Sequence, residues 1–355
     1  MLYICTFFIL IFNVLFWKSK KIYILDFIYF FILLGWSDGT YDTLIYIERY
    51  MEATRFESFT EPLFNLIIIT SNNMGLDYRT FFIISAFIEI LLILRFIKKY
   101  TNNIGCVVVL FIIYPMITLF VQLRFLLAFT IVLCFGINSL LKKEKFYELK
   151  FIIAILIATM IHYSSIIYLI LLLADKFKIK KIIILVVIFM IAMSSLTFFT
   201  PILNLAKSFM GEEKVDILIE GSTNVDGNAG RTILILFMVL GYYAIYLYMT
   251  YDGSSENNKF AEKVLKYNIL SLITIPLLHL MSSGFYRIPQ SLLILNYIAI
   301  SKYFVKNEKY KIKKKELILA LISIAYAIIL FLMMYHTREI YDLVIIPFFE
   351  QNAIL

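Results

Sequence analysis

The chain reads as all-α, a polytopic integral membrane helix bundle, and three observations predict this. Of its 355 residues 62% are hydrophobic, and the mean hydropathy is +0.87. Apolar runs of roughly 15–20 residues recur along the whole length, near the ~20 that a helix needs to cross a hydrocarbon core. Lysines fall in bursts between those runs, whereas arginines sit mostly at the runs' other ends. A soluble chain could not solvate that much apolar surface. The net charge of +8 is spread over many short loops; that is the positive-inside pattern, not a phosphate-binding face, so no nucleic-acid partner is expected.

Each element follows from placing the lysine bursts in the cytoplasm. The bursts are Lys18, Lys20 and Lys21; Lys98 and Lys99; Lys142 to Lys150; Lys176 to Lys181; Lys259 to Lys266; and Lys302 to Lys315. About twelve spans result, at 2–17, 22–36, 80–97, 104–121, 125–141, 150–161, 163–174, 181–200, 231–250, 266–281, 288–304 and 317–335, with both termini outside and the chain one membrane domain. The first run lacks a basic start and is followed by lysines, which suits a retained span rather than a cleaved signal. The run 150–173 is split at His162 because a single helix would carry Asp175 to Lys181 outside. Twelve helical residues reach only ~18 Å, so that turn is expected below the outer surface. Outer segments are expected at 37–78, including a short re-entrant or interfacial helix over 62–72, and at 201–230.

Four places carry chemistry. Asp42, Tyr46, Arg49 and Tyr50 recur at helical spacing, giving one face a carboxylate, two phenols and a guanidinium; an interfacial helix with an aromatic belt has the same pattern. Glu61 precedes Pro62 and an apolar helix, where it complements the helix dipole or serves as a general base. Gln122-Leu123-Arg124 puts a cation at a helix start, against the dipole, so it needs a compensating anion. His162 with Ser164 and Ser165, and Gly284 to Pro289 with Tyr286 and Arg287, occupy two helix-breaking turns. Cys5, Cys106 and Cys134 lie inside apolar runs and read as core residues. No D-x-D, H-E-x-x-H, P-loop or G-x-G-x-x-G occurs, so no metal, nucleotide or other cofactor is expected.

At these residues the chain resembles the EpsG-like branch of the Wzy-type bacterial polysaccharide polymerases, which make O-antigen, capsule and exopolysaccharide. The resemblance covers most of 36–175 and is carried by Asp42-x-x-x-Tyr46-x-x-x-Tyr50, Glu61-Pro62-Leu63-Phe64, Gln122-Leu123-Arg124 with Leu127-Ala128, His162-x-Ser164 and, later, Arg287. It implies a glycosyltransferase of the bacterial cytoplasmic (inner) membrane. Such an enzyme joins undecaprenyl-diphosphate-linked oligosaccharide repeat units on the outer face, with inversion and without a metal. It further implies diphosphate binding by Arg124 and Arg287 with Arg49, and a base that is Glu61, His162 or Asp42. Glycan contacts fall to Tyr41, Tyr46, Tyr50, Gln122 and Tyr286. The implied partners are the lipid bilayer, the lipid-linked glycan, a chain-length regulator and a flippase. Two alternatives stand beside it: a lipid-linked glycan ligase, which differs only in its acceptor, and a polysaccharide or lipid transporter (flippase). A transporter would need polar residues through the full depth of several spans, whereas here they gather in the expected outer half.

Overall fold

A computed structural model describes residues 2–17, 19, 21–38, 41–53, 61–193, 199–201, scattered positions between 203 and 219, 225–251, 255–304, 314–336 and 341–354. Arg55, Arg338 and most of the expected outer segment 201–230 lie outside the described residues. Each of the twelve apolar runs contains helix in its described part, several of them broken by turns, and among the described residues there is no strand. Among the described residues, five helices are long and apolar enough to cross a membrane: Tyr78–Tyr100, Leu123–Lys142, Gly227–Thr250, Asn258–Leu280 and Lys314–Tyr335. Leu2–Leu15, Ile22–Gly35 and Ile104–Ile113 are shorter apolar helices.

The chain divides into two compact units, residues 1–167 with 335–355, and residues 168–334. In the first, α1 (Leu2–Leu15) and α2 (Ile22–Gly35) lead to α3 (Tyr41–Glu52), α4 (Pro62–Asn73) and α5 (Tyr78–Tyr100). The expected span 104–121 is two helices, α6 (Ile104–Ile113) and α7 (Met116–Phe120), because Pro115 cannot donate to the ladder or fit inside a helix. Next come α8 (Leu123–Lys142), with a π-turn at Val132–Ile137, and α9 (Tyr147–Thr159). A 3-10 segment, Tyr163–Leu172, follows the turn at His162. The C-terminal helix Ile346–Glu350 returns to this unit: Phe349 meets Tyr3 with ring centroids 4.6 Å apart, and Ala353 N–H donates to the Trp36 carbonyl at 2.8 Å.

The core of this unit follows from its sequence. Gly35 has no side chain to keep α2 off α5, so a Cβ there would lie 3.7 Å from that of Ala86. Phe27, Phe31 and Phe87 fill the adjoining layer edge to face. Asp77 caps α5 by accepting from Thr80 N–H at 2.7 Å, and Lys98 and Lys99 complement the dipole at its other end. Lys99 and Tyr100 both donate to Asn138 near the end of α8. The lysine-bearing ends of α5 and α8 therefore lie together, while Arg79 and Arg124 start the same two helices.

The second unit holds α10 (Ile179–Met193), α11 (Val225–Thr250), α12 (Ser255–Ser271), α13 (Thr274–Leu280), a 3-10 turn (Ser283–Tyr286), α14 (Arg287–Ser291), α15 (Leu293–Tyr303) and α16 (Lys314–Tyr335). Its core is α15, buried at every residue but Lys302. Asn268 Nδ2 donates to Asn296 Oδ1 at 2.7 Å, and Tyr326 O–H donates to the Met238 carbonyl at 2.6 Å. Interhelical amide pairs of this kind hold helices together where lipid tails offer no hydrophobic contrast.

Candidate active site

Glu61 organises the polar centre of the first unit. It precedes Pro62, the first residue of α4, and its backbone is left-handed at φ 54°, ψ 53°. That conformation is disfavoured for any residue with a Cβ and is found where surrounding contacts over-determine it. Two backbone bonds supply that constraint: Leu63 and Phe64 N–H both donate to the Met160 carbonyl, at 3.0 and 3.3 Å. They tie the start of α4 to the turn that carries His162.

The carboxylate is wholly buried and bonded on both oxygens. Oε2 accepts from an Arg124 guanidinium N–H at 2.5 Å and from Arg49 at 3.4 Å; Oε1 lies 3.0 Å from His162 Nδ1. Arg49 also donates to Asn65 Oδ1 at 2.6 Å. Both guanidiniums stand over the Phe64 ring, at 5.2 Å for Arg49 and 5.9 Å for Arg124, and Arg124 lies 5.4 Å from the Tyr46 ring. Phe125 meets the imidazole edge to face at 5.7 Å. Arg124 is the second residue of α8, where the dipole opposes a cation; Glu61 is the compensating anion. Two guanidiniums against one carboxylate leave a formal +1. Burial first, and Arg124 second, lower the Arg49 guanidinium from its usual value.

The other sequence-predicted residues are placed as follows. Tyr46 is buried in the cluster. Tyr50 packs on Phe81 and Tyr78 and donates its hydroxyl to the Leu76 carbonyl at 2.7 Å, so it belongs to the α3–α5 contact. Asp42 is half-buried on α3, and no ion pair or hydrogen bond joins it to Glu61. The Tyr41 side chain lies outside the described residues. Gln122 precedes α8, is buried, and its Oε1 has no hydrogen-bond partner among the described residues. Tyr286 and Arg287 belong to the second unit. There the guanidinium of Arg287 turns back over Gly284, its Nη1 lying 3.8 Å from where a Cβ would stand.

Sequence reasoning passed over Asn65, although a polar residue four positions after Glu61 on an apolar helix falls on the same face. It also passed over two acids set inside apolar runs. Asp26 accepts from Asn13 Nδ2 at 2.7 Å between α1 and α2. Glu89, midway along α5, is 0% exposed, and neither carboxylate oxygen has a partner among the described residues. Among the described residues, no group of three or more His, Cys, Asp or Glu is arranged to hold a metal ion.

These features define a class: an all-helical membrane protein with a buried carboxylate held between guanidiniums and an imidazole. A family model described as the EpsG family matches residues 20–348, and the chain belongs to that family. It is a family of polysaccharide polymerase-like membrane proteins, associated with glycosyltransferase-like polymerase activity. No match was found among curated proteins or among solved structures.

Proposed function

We propose that the protein is a polysaccharide polymerase that joins undecaprenyl-diphosphate-linked oligosaccharide repeat units on the outer face of the bacterial cytoplasmic membrane. The single observation that carries the reading is the Glu61 cluster, which puts a base and two fork-shaped cations within one hydrogen-bonded group. Family membership supplies the reaction class. Arginines at the starts of α5 and α8, opposite their lysine-rich ends, support an outward-facing site.

In this mechanism the acceptor sugar hydroxyl attacks the anomeric carbon of the donor unit. The bond from that carbon to the diphosphate breaks, and undecaprenyl diphosphate leaves with the electron pair. One displacement inverts the anomeric centre. Of the three candidate bases, His162 fits best. Glu61 engages its Nδ1, which fixes the tautomer with the lone pair on Nε2, and that nitrogen takes the hydroxyl proton. Glu61, bonded on both oxygens, orients the imidazole and anchors the arginines. Arg124, with Arg49, meets the diphosphate and stabilises it as it leaves. Tyr46 offers an aromatic face to a sugar ring.

Polymer length on a gel tests this. Arg124→Lys keeps the charge but loses the planar fork, and Glu61→Gln keeps the shape but loses the charge. Both should abolish long-chain polymer while lipid-linked single units accumulate. Normal polymer from both variants would falsify the reading. A glycan ligase shares the donor site, so single units transferred to a different acceptor, with no ladder, would favour that reading.

A further inference from the structure

Asn65 stands on α4 one turn after Glu61, and its backbone N–H donates to the Glu61 carbonyl at 3.1 Å. That spacing brings the amide and the carboxylate to the same side of the chain, and both meet Arg49 of α3. The two contacts are unequal. Arg49 Nη2 donates to Asn65 Oδ1 at 2.6 Å, whereas its Nη1 reaches Glu61 Oε2 only at 3.4 Å. Arg124 holds that same Glu61 oxygen at 2.5 Å. The carboxylate is therefore engaged chiefly by Arg124, and Arg49 is held chiefly by a neutral amide. The Phe64 ring, 5.2 Å from the guanidinium carbon, supports it from a second direction. Because separate nitrogens meet Asn65 and Glu61, the plane of the guanidinium is fixed as well as its place.

We infer that Asn65 is a positioning residue for Arg49, one that aims the guanidinium while adding no charge of its own. An aspartate in its place would hold Arg49 at least as firmly, since hydrogen bonds between ionised partners are the stronger kind. It would also lie in the first turns of α4, where the dipole favours an anion. Yet it would bring a second carboxylate to the two arginines and cancel one unit of the positive charge that a diphosphate meets. Neutrality at position 65 thus serves binding and not folding. If the amide served only to join α3 to α4, the stronger bond would be an improvement in every respect. That the anion is a lipid diphosphate rests on the polymerase reading; the aiming of Arg49 by Asn65 rests on the geometry.

Binding to the full chain in nanodiscs, measured beside thermal melts, tests this. The probes are undecaprenyl diphosphate carrying no sugar, and inorganic pyrophosphate. Asn65→Asp should melt at or above wild type yet bind the lipid probe roughly tenfold or more weakly. A purely structural role would move stability and binding together. Asn65→Leu keeps the bulk but removes the acceptor, and should also weaken binding. In an Arg49→Gln background it should add no further loss, because its effect runs through Arg49. Three results overturn the inference: wild-type affinity in Asn65→Asp, weakened binding there that comes with a lower melt, and an Asn65→Leu loss that persists in full beside Arg49→Gln. Wild-type affinity in Asn65→Asp beside lost affinity in Arg124→Lys overturns the inference and spares the polymerase reading. Wild-type protein that binds pyrophosphate but not the lipid, with the same dependence on Asn65, keeps the inference and sinks that reading. Protein that binds neither probe overturns both.

Discussion

Glu61 occupies a backbone conformation that its own side chain disfavours, at a cost of about 1–3 kcal/mol, and the arrangement around it offsets that cost. Its carboxylate meets α3, α8 and the His162 turn together. Removing one partner from a buried ion pair costs about 3–5 kcal/mol, so Glu61→Gln should lose stability as well as polymer. His162 sits differently, because its loss leaves Glu61 with both arginines. His162→Ala should therefore melt close to wild type while polymerisation by purified protein falls about 10²–10⁴-fold, the usual contribution of a positioned base. A lipid-linked repeat-unit assay measures this, and an unchanged rate would return the base to Glu61 or Asp42. None of this pairing was legible in the sequence. Sixty-three positions separate Glu61 from Arg124, and only folding reveals that the anion Arg124 needs is the acid before Pro62. The need itself was legible, since a cation at a helix start opposes the dipole.

Elements were easier to read than contacts. Apolar runs became helices because a buried backbone in lipid has few other ways to satisfy its polar groups. The break at His162 was readable from the charges that flank it, and the division of 104–121 was available in Pro115. That Tyr163–Leu172 is a 3-10 segment rather than an α-helix has no signal in its composition that we can identify. Close approach between helices is written in small residues. A Cβ on Gly105 would come within 2.7 Å of the Asn13 carbonyl oxygen and 2.8 Å of the Trp17 Cα, both backbone atoms that cannot swing aside. Gly105→Ala should cost about 1–3 kcal/mol through overpacking, seen as a lower melting temperature in detergent. Gly230→Ala, with nothing among the described residues within 4 Å of the new methyl, is the matched control and should leave the melt unchanged or slightly raised.

At the scale of the molecule, each unit by itself separates its lysines from its arginines. In the first, Lys99 meets Asn138 at one end of α5 and α8, with Arg79 and Arg124 at the other. In the second, Tyr248 near the end of α11 donates to the Lys315 carbonyl at the start of α16, whereas Arg231 lies at the opposite end of α11. The positive-inside rule places the lysine ends in the cytoplasm, and the arginines at the opposite ends support the same sidedness for each unit by itself. It predicts the outcome of cysteine labelling in a background with Cys5→Ser, Cys106→Ser and Cys134→Ser. Asn73→Cys should react with an impermeant thiol reagent added to intact cells. Asn102→Cys should react only after the membrane is opened. The reverse pattern would invert the protein and put the Glu61 cluster on the cytoplasmic side.

The π-turn in α8 has a consequence for how the two ends of that helix are aligned. A π-turn spends one residue more than an α-turn to advance the chain, and each residue rotates an α-helix by about 100°. Winding Val132–Ile137 as regular α-helix, with no residue removed, would swing Asn138 by about that angle relative to Arg124. Either Arg124 would leave Glu61, or Asn138 would turn away from Lys99 and Tyr100. The wide turn, by absorbing one extra residue, acts as a phase corrector, keeping the face that meets Glu61 at one end of the helix in step with the face that meets Lys99 at the other.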